Sequence, residues 1–133
     1  MGSVRNIVND SLLRLSYRDS KNIRFFLKNW GWLEGLSHNG DTVATCILAD
    51  LKVVTGIDID KFNRTDRTEF NLGYLDGKLS HHQYMSIAYV LVLGYSQQEV
   101  AWIMGVDQSV ISKTINNGIY RIQKELRAFE EDD

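Results

Sequence analysis

Two capping boxes punctuate the second half of the chain and constrain its fold more than any other feature. Ser80-x-x-Gln83 and Ser96-x-x-Glu99 each put a short hydroxyl three residues before a side chain that can reach back to it. Each therefore predicts a helix start. The first helix, with Met85, Ala88, Tyr89 and Val92 on one face, should stop at Gly94. The second is short, ends at Met104, and meets a turn at Gly105. Asp107 then opens a long last helix with Ile111, Ile115, Ile119, Ile122 and Leu126 on one side. The chain contains no proline, the strongest helix breaker, so nothing interrupts these segments. The expected fold class is all-α.

The first half carries the same period. Val4 to Leu15 predicts an amphipathic helix, with Val4, Ile7, Val8 and Leu12 on one face. A second helix should start at Asp19 or Ser20 and carry Ile23, Phe26, Leu27 and Trp30 as its stripe. Phe25, Trp32 and Leu33 make this the most aromatic stretch, fit for a core or for docking another chain. Gly35 to Gly40 reads as a loop, and Asp41 as the cap of a third helix. That helix carries Val43, Ile47, Leu48, Leu51 and Val54 and ends at Gly56. Ile57 to Lys78 is polar and reads as a connector with one short helix near Thr68 to Leu75. The organisation expected is a helical oligomerisation or partner-binding region over 1–56, a connector over 57–78 and a helix-turn-helix domain over 79–133.

Composition narrows the class. An apolar content of 44% is too high for a disordered chain. The single cysteine, Cys46, can form no internal disulfide, which points to a reducing cytoplasmic compartment. The longest apolar run, near Ile87 to Leu93, falls short of the ~20 residues a membrane span needs. A net charge of -2 argues against coating nucleic acid by charge alone. It leaves room for a local basic face, because Glu130, Glu131, Asp132 and Asp133 gather acidity at the end of the chain.

The segment Ser96 to Ile115 meets the demands of a helix-turn-helix. Ala101 is small where two helices must approach. Gly105 can take the positive φ that a tight turn requires. Val106 can plug the underside of the turn, while Val100, Met104, Ile111 and Ile115 are apolar at core-facing intervals. Gln108, Ser109, Ser112, Lys113 and Asn116 point the other way. All can hydrogen-bond and none is acidic, which suits a major-groove surface.

Leu79 to Leu126 resembles region 4 of bacterial sigma factors and the phage and Gram-positive regulators built on that module. The residues carrying the resemblance are Leu79-Ser80, then Gly94-Tyr95-Ser96-Gln97-Gln98-Glu99-Val100-Ala101, then Met104-Gly105-Val106-Asp107-Gln108-Ser109-Val110-Ile111-Ser112-Lys113. The resemblance implies binding of double-stranded DNA by the helix from Gln108, with Gln108, Ser109, Ser112 and Lys113 facing the bases. No counterpart of a promoter-melting region is found, so a complete sigma factor is not implied. The last helix, Ile115 to Arg127, carries Arg121, Lys124 and Arg127 but also Asn116, Asn117 and Gln123, which makes it less basic than is usual in the family. The layout is also similar to small phage late-gene activators of the ArpU type.

Roles follow from chemistry. Ser96, Gln97 and Gln98 head a helix whose N–H groups favour a phosphate. Lys113, Arg121 and Lys124 add positive charge. Gln108 can pair with adenine and Lys113 can reach guanine. With so few cations, a homodimer through the N-terminal helices or contact with RNA polymerase would supply further affinity. The rival reading is an adaptor that binds RNA polymerase or another regulator without reading DNA.

An enzyme is the least favoured class. Adjacent His81 and His82 diverge on a helix and cannot share a metal as an i, i+4 pair would. They read as solvated surface residues. Cys46 lies in an apolar helix without a placed histidine and reads as a buried structural thiol. Asp58 and Asp60 are too isolated for a calcium loop. No cofactor or metal is expected.

Overall fold

The computed structural model describes residues 16–58 and 77–131. The expected helix over 4–15, the expected short helix over 68–75, most of the connector, and Asp132 and Asp133 lie outside the described residues. What is described is all-helical. The elements are α1 (Ser20–Lys28), α2 (Trp30–His38), α3 (Thr42–Thr55), α4 (His81–Ser86) running into a π-helical stretch (Ile87–Val92), α5 (Gln97–Met104) and α6 (Gln108–Glu131).

α6 is the strut of the assembly. Its 24 residues extend for roughly 36 Å at 1.5 Å per residue. Ile111, Ile115, Ile119, Ile122 and Leu126 recur at helical spacing and are all buried, as the sequence predicts. Each such side chain contributes about 1.5–3 kcal/mol by leaving water. α6 packs against α1, α3, α4 and α5, while α2 packs on α3. One core joins the two halves of the chain: Ile23, Phe26, Trp30 and Leu51 belong to the same cluster as Tyr84, Val100 and Ile111.

Gly118 explains how closely α6 crosses α4. It is buried, and a Cβ built there would sit 2.5 Å from Ile87 Cδ1 and 3.4 Å from Gln83 Cβ. A side chain at this crossing would displace Ile87, which is itself fully buried.

Four expectations need correction. The stripe ending in Trp30 is divided between two helices. Asn29 leaves helical geometry at φ -113°, ψ 31°, and its Nδ2 donates to the Phe25 carbonyl at 2.8 Å. Its own carbonyl accepts the Leu33 N–H that starts the next turn. Second, the glycine- and serine-rich stretch expected as a loop from Gly35 is helical to His38. Trp30, Leu33 and Leu36 sit three residues apart and anchor one side of α2 to the core, which outweighs the loop-like composition. The turn is only Asn39-Gly40, with the Asp41 N–H returning to the Leu36 carbonyl at 3.0 Å.

Third, the helix from His81 buries Tyr84, Ile87, Ala88 and Leu91, whereas Met85, Tyr89 and Val92 are half-buried. The run is apolar on nearly every side, so periodicity could not choose between neighbouring stripes. The π-helical stretch shifts the phase further, with Leu93 N–H bonding to Ala88 O at 2.9 Å. Fourth, Cys46 is exposed. α3 turns Ala44, Ile47, Leu48, Leu51 and Val54 inward, and Cys46 falls outside that arc. Val43, expected among them, is half-buried while Ala44 is fully buried.

Candidate nucleic-acid interface

The α5–turn–α6 unit is fixed from both ends of α5. At its start, Ser96 Oγ accepts the Glu99 N–H at 3.0 Å, and Glu99 Oε1 accepts the Ser96 N–H at 3.2 Å. Both halves of the predicted capping box are therefore formed. At its end, Gly105 takes φ 72°, ψ 32°. The Gly105 N–H reaches Trp102 O and the Val106 N–H reaches Ala101 O at 3.0 Å. That is the bond pattern of a Schellman stop, which satisfies the last carbonyls of α5. Val106, half-buried against the core, supplies its apolar contact. Nothing lies within 4 Å of a Cβ built on Gly105, so glycine is needed there for its backbone angle and not for space.

Beyond the turn, α6 begins at Gln108, and the Asp107 carbonyl accepts from Val110 at 3.0 Å. Val100 and Ala101 are buried against α6, and Ile111 and Ile115 face the same core. That fixes the rotation of α6. Gln108, Ser109 and Lys113 are exposed, and Ser112 is half-buried beside them. These four side chains share the first two turns of the helix.

The remaining predicted residues divide. Asn116 is exposed but not isolated: its Oδ1 accepts Arg24 Nη2 of α1 at 2.7 Å. Arg121 pairs with Glu125 at 3.3 Å on its own helix. Lys124 is exposed further along α6 and lines a shallow hollow with Tyr120 and Gln123. Ser96 is exposed, but its hydroxyl is committed to the cap. Gln97 and Gln98 head α5 with N–H groups that have no intrahelical acceptor. The Glu99 carboxylate bonds at the same end, so a phosphate there would meet a negative neighbour.

The sequence reading missed two features. Arg24 touches the outward face of α6 from the other half of the chain, and Gln123 Nε2 donates to the Arg18 carbonyl, fastening the start of α1 to the same helix. No local pattern could pair residues so distant in sequence. The second is apolar. Trp102 is 85% exposed and Ile103 59% exposed on the outer side of α5, next to Gln98 and Glu99. Their i, i+1 placement after Ala101 puts them off the core stripe, which a helical projection could have shown.

Tyr84, in the core beneath this unit, has its phenol pushed up to about 12, first by burial and then by nearby Tyr89 and Asp58. His82 is exposed and His81 half-buried. Among the described residues there is no cluster of three potential metal ligands, and no helix is long and apolar enough to cross a membrane. No protein-family model, curated protein or solved structure matches the chain.

Proposed function

We propose that the protein is a sequence-specific DNA-binding regulator of transcription that reads the major groove with the first turns of α6. One observation carries this reading. Ser109, Ser112 and Lys113, with Gln108 exposed at the helix start in line with Ile111 and Ile115, form a polar surface bordered by exposed Asp107 and Val110, on a helix whose core side is locked by Ile111 and Ile115. The tight turn at Gly105 joins α5 to α6 and the two helices are in contact, which supports a helix-turn-helix reading. Gln108 supplies the amide that can pair with an adenine edge, and Lys113 the cation that can reach guanine. Fragments of the host genome selected on the purified protein should share a short common sequence. Recovery of fragments with no enrichment over input would defeat the proposal.

A second reading has its own support. Trp102 and Ile103 give α5 an apolar surface that base recognition does not use. An adaptor docking on RNA polymerase or another regulator would use it, alone or while α6 holds DNA. Trp102→Ala should then abolish polymerase capture and leave DNA affinity within twofold. Association of two copies would rest on α1 and α2, where Phe25 and Trp32 are partly exposed with ring centroids 5.9 Å apart. Sedimentation at micromolar concentration reports this as twice the chain mass.

A further inference from the structure

The outward face of α6 does not end at Asn116. Lys113, Asn116, Tyr120 and Lys124 follow at intervals of three, four and four residues, so they form one ridge along the helix. α1 lies beside this ridge. Lys21 and Arg24 of α1 face Asn116 and Tyr120 across a groove of about 230 Å³. Tyr120 is 64% exposed and forms the divide between that groove and the hollow lined by Gln123 and Lys124. Among the described residues, no carboxylate lines either depression. The acidic groups nearest in sequence, Asp19 and Glu125, line neither depression. Asp19 Oδ1 accepts the Lys21 N–H as the cap of α1, and Glu125 is drawn to Arg121.

In a chain of net charge -2, such a stretch is a local departure from the general surface. Arg24 is also held in place. One of its five N–H donors is spent on Asn116, and that bond keeps the fork over the α6 face with donors remaining. A side chain pre-ordered in this way loses less freedom on binding an anion.

We propose that Lys21 and Arg24 of α1, with Tyr120 and Lys124 of α6, grip the sugar-phosphate backbone that flanks the major groove entered by the first turns of α6. This rests on the DNA reading above and extends it: the N-terminal helices become part of the interface as well as support for it. The occupant follows from charge and shape. A groove lined by cations and a phenol hydroxyl, continuous with the reading face, complements a run of phosphodiesters. Contacts of this kind position the protein without reading sequence.

The test uses the full chain and two duplexes of equal length, the best genomic fragment and a random sequence, with binding followed by fluorescence anisotropy across a potassium chloride series. Lys21→Gln/Arg24→Gln should weaken binding to both duplexes by the same factor, about tenfold at 100 mM salt, and lower the slope of log affinity against log salt by about 1.8, since each phosphate contact adds about 0.9. The preference for the selected fragment should stay within twofold of wild type. Lys21→Gln/Lys124→Gln, which leaves the Arg24–Asn116 bond in place, should behave alike and keep the wild-type melting temperature. A wild-type slope and affinity in both variants, with wild-type protein binding duplex normally, would overturn the flank and leave the DNA reading standing. A selective loss on the chosen fragment would also overturn it, because it would mean base contact. Failure of the wild-type chain to bind either duplex at low salt would defeat both proposals.

Discussion

Two glycines with identical space around them should respond to alanine with opposite sign. A Cβ on Gly35 or on Gly105 meets nothing within 4 Å, so neither substitution causes a clash. Gly35 is inside α2, in ordinary helical geometry, where alanine is favoured by up to about 1 kcal/mol. Gly105 holds φ 72°, where an L side chain costs about 1–2 kcal/mol. With an unfolding entropy of about 2.1 cal/mol/K per residue, 133 residues give about 4 °C per kcal/mol. Gly35→Ala should therefore raise Tm by up to about 4 °C, and Gly105→Ala should lower it by about 4–7 °C. Gly105→Asn should fall between, since asparagine tolerates left-handed geometry, and Gly105→Val should be worse than alanine. Differential scanning calorimetry on the four variants is the assay. An unchanged or raised Tm for Gly105→Ala would refute the left-handed turn on which the orientation of α5 and α6 depends.

Further outcomes follow from the same structure. Gln108→Ala or Lys113→Ala should cost about 1–3 kcal/mol on the preferred duplex and relax its sequence preference; equal losses on random DNA would show backbone contact only. Ile115→Ala removes a fully buried side chain and should cost about 2–5 kcal/mol in denaturant unfolding. The raised phenol of Tyr84 also sets an alkaline limit. Its folded value, about 12, lies above the ordinary 10.0, so the unfolded chain loses this proton first. The contribution is complete below pH 10 and is lost as pH rises from 10 to 12. Tyr84→Phe should flatten that part of the stability curve relative to wild type, and parallel curves would show that Tyr84 does not contribute.

The sequence was most legible where backbone chemistry and periodicity agreed. The boxes at Ser80 and Ser96, the stop at Gly105 and the isoleucine stripe of α6 all form as local patterning predicts, because each is satisfied within a few residues. It was least legible where several solutions satisfied the same pattern. The apolar run from Tyr84 to Leu93 supports more than one buried face, and contact with α6 through Ile87 selects one. Cys46 shows the reverse error: an apolar neighbourhood in sequence did not place it on the buried side of α3. At the candidate interface, Ser109 and Lys113 are where outward spacing puts them, while Gln108, in line with Ile111 and Ile115, is exposed because it starts the helix. Arg24 joins Asn116 across ninety-two positions, and only tertiary packing can bring that pair together.

The most direct test of the central claim is an amide chemical-shift titration of the isotopically labelled chain with its selected duplex. The reading proposed here predicts that the largest shifts fall on Gln108, Ser109, Ser112 and Lys113, while Trp102 and Ile103 stay in place. Shifts confined to Trp102 and Ile103, or none at any residue of α6, would contradict it.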